Sequence, residues 1–189
     1  MAHLSSFAGR ATSLRYTRTA IAFHWLIAVQ IVCGFSLGWV MTDIPGFTPT
    51  KLRYFSWHKW IGVTVFALVV LRIVWRTTHA APPLPAGMPA WQRMAAQATH
   101  LALYVLMVVI PVSGYLYSSA ANVQVVYLGL VPLPRLIAPD PVLKTVLKNV
   151  HIALNYTLLV LVVLHIAAAL KHQWLDRDGL LSRMIPFLK

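Results

Sequence analysis

Four apolar runs, residues 19–41, 57–75, 95–117 and 146–174, constrain this chain more than any other feature. Each approaches or exceeds the roughly twenty residues a helix needs to cross a bilayer's hydrocarbon core. None contains an aspartate or a glutamate. A fifth stretch, 123–138, is broken by Pro132, Pro134 and Arg135 and reads as an interfacial or loop segment. Composition agrees: 59% of residues are hydrophobic and 11% charged, against about a quarter charged in a soluble domain. The expected fold is all-α, a transmembrane four-helix bundle. Residues 1–189 are expected to form one integral membrane domain, with no soluble domain attached.

Charge sets the expected orientation. Arg10, Arg15 and Arg18 precede the first run and resemble the start of a signal peptide. The run is too long for a signal core, and no small-residue cleavage pattern follows closely, so a retained helix is expected. Cys33 is the only cysteine and lies in that helix, which rules out an intrachain disulfide and a thiol–haem attachment motif. Four spans place both termini on one side. That side gathers ten of the 16 basic residues: Arg10, Arg15, Arg18, Arg72, Arg76, Arg93, Lys171, Arg177, Arg183 and Lys189. The other side holds Lys51, Arg53, Lys59, Arg135, Lys144 and Lys148. The positive-inside rule therefore predicts cytoplasmic termini. The net charge of +12 flanks spans and is not gathered on a soluble face, so the partner it implies is a lipid membrane and not nucleic acid.

The connections differ in character. "TDIPGFTPTK" is a turn-rich outer loop, and "THAAPPLPAGMP" must be extended. Pro111 and Gly114 predict a kink in the third helix. The outer loop over 118–145 is the longest, and long loops are often functional. The tail "DRDGLLSRMIPFLK" is amphipathic and is expected on the inner surface.

Ionisable residues inside a span are costly and are functional suspects. Five histidines qualify. In "HIALNYTLLVLVVLH", His151 and His165 stand fourteen residues apart. Fourteen residues turn through about 1400°, four turns less roughly 40°, so the two rings share one helical face about 21 Å apart along the axis. That is most of the roughly 30 Å hydrocarbon core. Depth sorts the histidines into an outer pair, His58 and His151, and an inner trio, His24, His100 and His165. His172 lies seven residues beyond His165, on the same face at the inner interface.

Two imidazoles per level on facing helices can clamp a haem from both sides. Zinc or copper would want three or four converging donors, with cysteine or carboxylate common among them. The same fourteen-residue spacing recurs elsewhere. Gly38 follows His24, Gly114 follows His100, and Arg72 follows His58, each by fourteen. A glycine admits close approach of a macrocycle, and Gly62, one turn below His58, can serve likewise. Arg72 is placed to meet a haem propionate. A lone histidine or small residue in a span ordinarily serves helix packing. The repeated spacing is what favours haem.

With these residues in view, the chain resembles the bacterial cytochrome b561 family. That family shares a four-helix haem core with the cytochrome b subunits of nickel–iron hydrogenases and formate dehydrogenases. The resemblance is carried by "RYTRTAIAFHW", "WHKWIGVTVFALVVLRIVWR", "THLALYVLMVVIPVSGYLYS" and "HIALNYTLLVLVVLHIAAALKH". It implies a bundle enclosing two b-type haems in the bacterial inner membrane. His24 and His165 would ligate the inner iron, His58 and His151 the outer, with His100 outside the ligand set. Compact members resemble superoxide oxidases, which pass electrons from superoxide to ubiquinone. Larger relatives instead act as electron-conducting anchors for an iron–sulfur subunit, the alternative reading. Lys51, Arg53, Lys59 and Lys148, with Lys144, outnumber Asp43 and Asp140 and would attract the superoxide anion. His172 is expected to hydrogen-bond a quinone carbonyl on the inner side.

Overall fold

A computed structural model describes residues 15–185 and 187. Arg10 and Lys189, counted above for orientation, lie outside the described residues. Four long helices dominate: α1 (Arg18–Asp43), α2 (Pro49–Thr78), α3 (Ala90–Ala120) and α4 (Pro141–Lys171). All four are long and apolar enough to cross a membrane. Their starts follow from local chemistry. Thr17 Oγ1 accepts from the Ala20 amide, Thr48 Oγ1 from the Lys51 amide, and Asp140 Oδ1 from those of Val142 and Leu143. These acceptors satisfy amides that the first helical turn leaves unpaired. Pro49 and Pro141 open their helices where a missing amide hydrogen costs nothing.

The end carrying the α1–α2 and α3–α4 connections is termed outer here, the opposite end inner. Backbones pack closely between α1 and α2, α2 and α3, and α3 and α4. A Cβ on Gly34 would stand 3.1 Å from Ile61 Cγ2, so the α1–α2 contact depends on that glycine. The seam between α1 and α4 is bridged by long side chains. Trp39 Nε1 donates to the Tyr156 hydroxyl at 3.1 Å, and the Phe35 and Tyr156 rings meet edge-on at 6.0 Å.

The buried core lies mid-bundle. Ile27, Val65 and Val69 form one cluster, and Leu106, Ile110 and Leu158 a second. Large apolar side chains elsewhere face outward, Leu101 at 67% and Val163 at 57% exposure. That is the inverse of a water-soluble bundle and what a lipid solvent permits. The transmembrane four-helix bundle expected from the apolar runs is thus the fold observed.

Two departures from plain helix matter. The outer α3–α4 connection contains a small antiparallel hairpin, β1 (Val126–Tyr127) and β2 (Val131–Pro132). At the inner end, α4 gives way to a π-helical turn over His172–Asp176, followed by a 3-10 turn over Leu181–Arg183.

Candidate haem site

At the outer end, His58 on α2 and His151 on α4 face each other, ring centroids 6.2 Å apart and planes at 87°. Each ring is held from behind. His58 Nδ1 lies 2.9 Å from the Gly34 carbonyl. His151 Nδ1 lies 3.1 Å from the Ile110 carbonyl and 3.0 Å from Ser113 Oγ. A carbonyl can only accept, so Nδ1 carries the hydrogen and the Nε2 lone pair is left to bind a metal. Ser113, which is buried, itself donates to the Ile110 carbonyl at 2.8 Å.

Glycines frame this pair. A Cβ on Gly114 would lie 2.8 Å from His151 Cε1, and one on Gly38 would lie 3.4 Å from His58 Cε1. At these two positions the glycines make room for the imidazoles. Gly62 differs: nothing stands within 4 Å of where its Cβ would be. It lines a cavity that runs between the two rings, with Phe35, Val65, Met107 and Pro111 among its walls.

At the inner end three rings converge. His24 and His165 are 6.3 Å apart between centroids, and His100 stands 5.4 Å from His165. Arg72 is near enough for its charge to act on all three. Its Nε donates to the Tyr104 hydroxyl at 2.8 Å. A second, smaller cavity is lined by Tyr16, Arg72, Trp75, Arg76, His79 and Tyr104.

The remaining candidates are dispersed. His172 ends α4, and its Nδ1 lies 2.6 Å from Asp178 Oδ2 and 3.0 Å from Asp176 Oδ2. Asp176 also receives Lys171 Nζ at 2.6 Å. Among the outer bases, Lys51 Nζ donates to the Ile44 carbonyl at 2.6 Å and so ties down the α1–α2 turn. Lys59 is half-buried beside His58, whereas Arg53, Lys144 and Lys148 are exposed. Arg135 donates to Asn122 Oδ1 at the base of the α3–α4 connection.

Sequence reading did not supply Ser113, Tyr104 or Asp178. Ser113 could have been noticed as a hydroxyl between the two kink residues of α3. The carbonyls of Gly34 and Ile110 carry no signal in residue type.

The donor set fits haem. Metal–nitrogen bonds of about 2 Å on both sides of one ion, plus about 1.15 Å from nitrogen to ring centre, would set two such imidazole centroids roughly 6.3 Å apart. The outer pair at 6.2 Å and the His24–His165 pair at 6.3 Å match this. Apolar walls around the outer pair suit a flat macrocycle. Paired imidazoles on facing membrane-spanning helices define a class, the haem-binding membrane bundles that carry electrons.

The comparisons with known proteins are specific within that class. The family described as prokaryotic cytochrome b561 matches residues 15–187, and the chain belongs to it. Cytochrome b561 homolog 2 of Escherichia coli is 35% identical over 175 residues, covering 92% of this chain and 93% of that protein. Cytochrome b561 homolog 1 of the same organism is 26% identical over 172 residues, 91% of this chain and 97% of its own length. Probable superoxide oxidase CybB of Yersinia pestis is 26% identical over 177 residues, covering 91% and 96%. The chain is thus a multi-pass inner-membrane protein that binds b-type haem and transfers electrons.

Proposed function

We propose that this chain is a superoxide:ubiquinone oxidoreductase that binds two haems. The observation that carries the proposal is the presence of a matched imidazole pair at each end of one bundle, at 6.2 and 6.3 Å. In the reaction, two superoxide anions each give up one electron at the outer face and leave as dioxygen. One ubiquinone takes up those two electrons and two protons at the inner face. Haem held by His58 and His151, and by His24 and His165, supplies the one-electron relay between the faces when bound. His100 stands beside the inner pair without ligating. The name of the Yersinia pestis relative supports the choice of superoxide.

The chain's own residues have distinct tasks. The Gly34 and Ile110 carbonyls and Ser113 Oγ lock the outer rings with Nε2 facing inward to the cavity. Arg53, Lys59, Lys144 and Lys148 form a positive outer mouth, and such a field concentrates an anion. Lys51 adds to that field while bracing the turn. Arg72, its guanidinium fixed by Tyr104, would neutralise the propionate charge of a haem held at the inner end. With Nδ1–H donating to Asp178, the imidazolium form of His172 would offer Nε2–H to a quinone carbonyl and hand over that proton, to be replaced from the cytoplasm. The inner end faces the cytoplasm, where those protons originate.

The test is a rapid-mixing experiment on the purified haem-loaded protein. Superoxide should reduce the haem Soret and α bands, and added ubiquinone should reoxidise them with quinol formed. Haem that superoxide leaves oxidised, together with copurification of an iron–sulfur protein, would favour the anchor reading instead.

A further inference from the structure

The hairpin in the α3–α4 connection is not folded over the end of the bundle. It is docked on the flank of α2. Trp60 Nε1 donates to the Val126 carbonyl at 2.7 Å, and the Tyr127 hydroxyl meets Thr64 Oγ1 at 2.9 Å. Counted from Trp57, where the apolar run of α2 begins, Trp60 and Thr64 lie about 5 Å and about 10 Å along the helix. Gly129, at the tip, sits against the Trp60 ring, 3.9 Å from Cζ2 to where its Cβ would be.

The tip chemistry is unusual. Leu128 and Gly129 adopt successive positive φ values of 53° and 74°. Turns of that kind are ordinarily made by Asn-Gly, Asp-Gly or Gly-Gly, because asparagine, aspartate and glycine tolerate the left-handed region. A leucine there is strained, and an aqueous setting would give it no compensation. Leu128, Leu130 and Val131 are all more than half exposed, Leu130 at 81%. From Asn122 to Pro134 the chain has no charged residue, and the Arg135–Asn122 hydrogen bond closes the base. Part of the backbone is paired internally: Gly129 N–H donates to the Val126 carbonyl, Leu130 N–H to the Tyr127 carbonyl and Leu133 N–H to the Val125 carbonyl. Non-helical backbone at membrane depth is tolerated where it packs on protein, as this hairpin does on Trp60 and Thr64.

We infer that the Val126–Pro132 hairpin is a lipid-inserted element. Its apolar tip, Leu128, Leu130 and Val131, contacts acyl chains of the outer leaflet, and Arg135 stays at the headgroups. The partner is the bilayer itself. The burial of Leu128 in hydrocarbon offsets the strain of its backbone.

The test uses the haem-loaded chain in phosphatidylcholine vesicles, with Cys33→Ala as background and a nitroxide placed at Leu130→Cys or Lys144→Cys. At position 130, collisional relaxation by dissolved oxygen should exceed that by an aqueous nickel chelate, and at 144 the order should reverse. A label at 130 as open to the chelate as one at 144 would overturn the inference. Shielding at 130 from both reagents would also overturn it, and would indicate a protein partner over the tip. Leu128→Asn gives an independent reading, since it relieves backbone strain. It should nevertheless lower the midpoint of thermal haem loss in vesicles, and a rise in that midpoint would place the tip in water.

Discussion

The outer and inner histidine sites are built by opposite means. At the outer site both imidazoles are fixed through Nδ1 by main-chain carbonyls, and two glycines leave space for the rings. At the inner site three rings crowd together under an arginine, with a second arginine and a tyrosine close by. The first is a socket braced by backbone and the second a cluster of rings beneath a fixed positive charge. A centre that exchanges only electrons needs the former, because fixed ligands reorganise little. The arginine of the latter suits a site that receives anionic groups.

That contrast can be broken or sharpened by mutation. The largest effect should come from His151→Ala, which removes one ligand of the braced pair. Pyridine haemochrome analysis should find two haems per wild-type chain and one in the variant, and a single haem in the wild type would abolish the two-site comparison. Gly114→Ala comes next, because its methyl group would press on His151 at 2.8 Å. Overpacking of this kind costs about 1–3 kcal/mol, so the outer haem should bind weakly while Gly38→Ala, at 3.4 Å, is milder. Titration of haem into the apo-protein measures both.

Reversing the exposed Arg53 and Lys148 to glutamate should slow reduction by superoxide about tenfold at low salt and flatten its salt dependence. Reduction by quinol should hardly change. Equal superoxide rates in mutant and wild type would reduce the outer bases to a collar for lipid headgroups. Lys51 is better left alone in that experiment, since its ammonium also holds the Ile44 carbonyl. Ser113→Ala should cost only about 1 kcal/mol of outer-haem affinity, because His151 keeps the Ile110 carbonyl. The smallest effect belongs to His100→Ala, which should retain both haems with low-spin spectra. Loss of a haem there, with His24→Ala retaining both, would reassign the inner ligands.

Much of this architecture is legible in the sequence because helix geometry is stiff. Fixed rise and turn per residue carry His58 to His151, and His24 and His100 to His165, with no knowledge of packing. What stayed hidden depends on atoms or breaks that residue spacing does not encode. The partners of His58 and His151 are carbonyls, which every residue possesses. That Gly38 and Gly114 also make room for imidazoles of neighbouring helices is a tertiary contact that spacing does not show. His172 was placed on the face of His165 by counting seven residues of continuous helix. The helix runs unbroken to that position, and the π-helical turn that begins there brings Asp176 and Asp178 onto the ring, which the count does not show. The hairpin was legible only as a non-spanning stretch, since its anchoring on Trp60 and Thr64 is a tertiary contact.

Both imidazole pairs include a histidine of α4, joined to α2 at one end and to α1 at the other. During synthesis α4 is the last of the four helices to leave the ribosome. A nascent chain that has inserted only α1 to α3 possesses neither pair, however well its helices pack. Both pairs come into being with one insertion event. On the proposed ligand assignment, haem loading is governed by a single late step, and a chain cut short before Pro141 would be a membrane protein with no complete ligand pair.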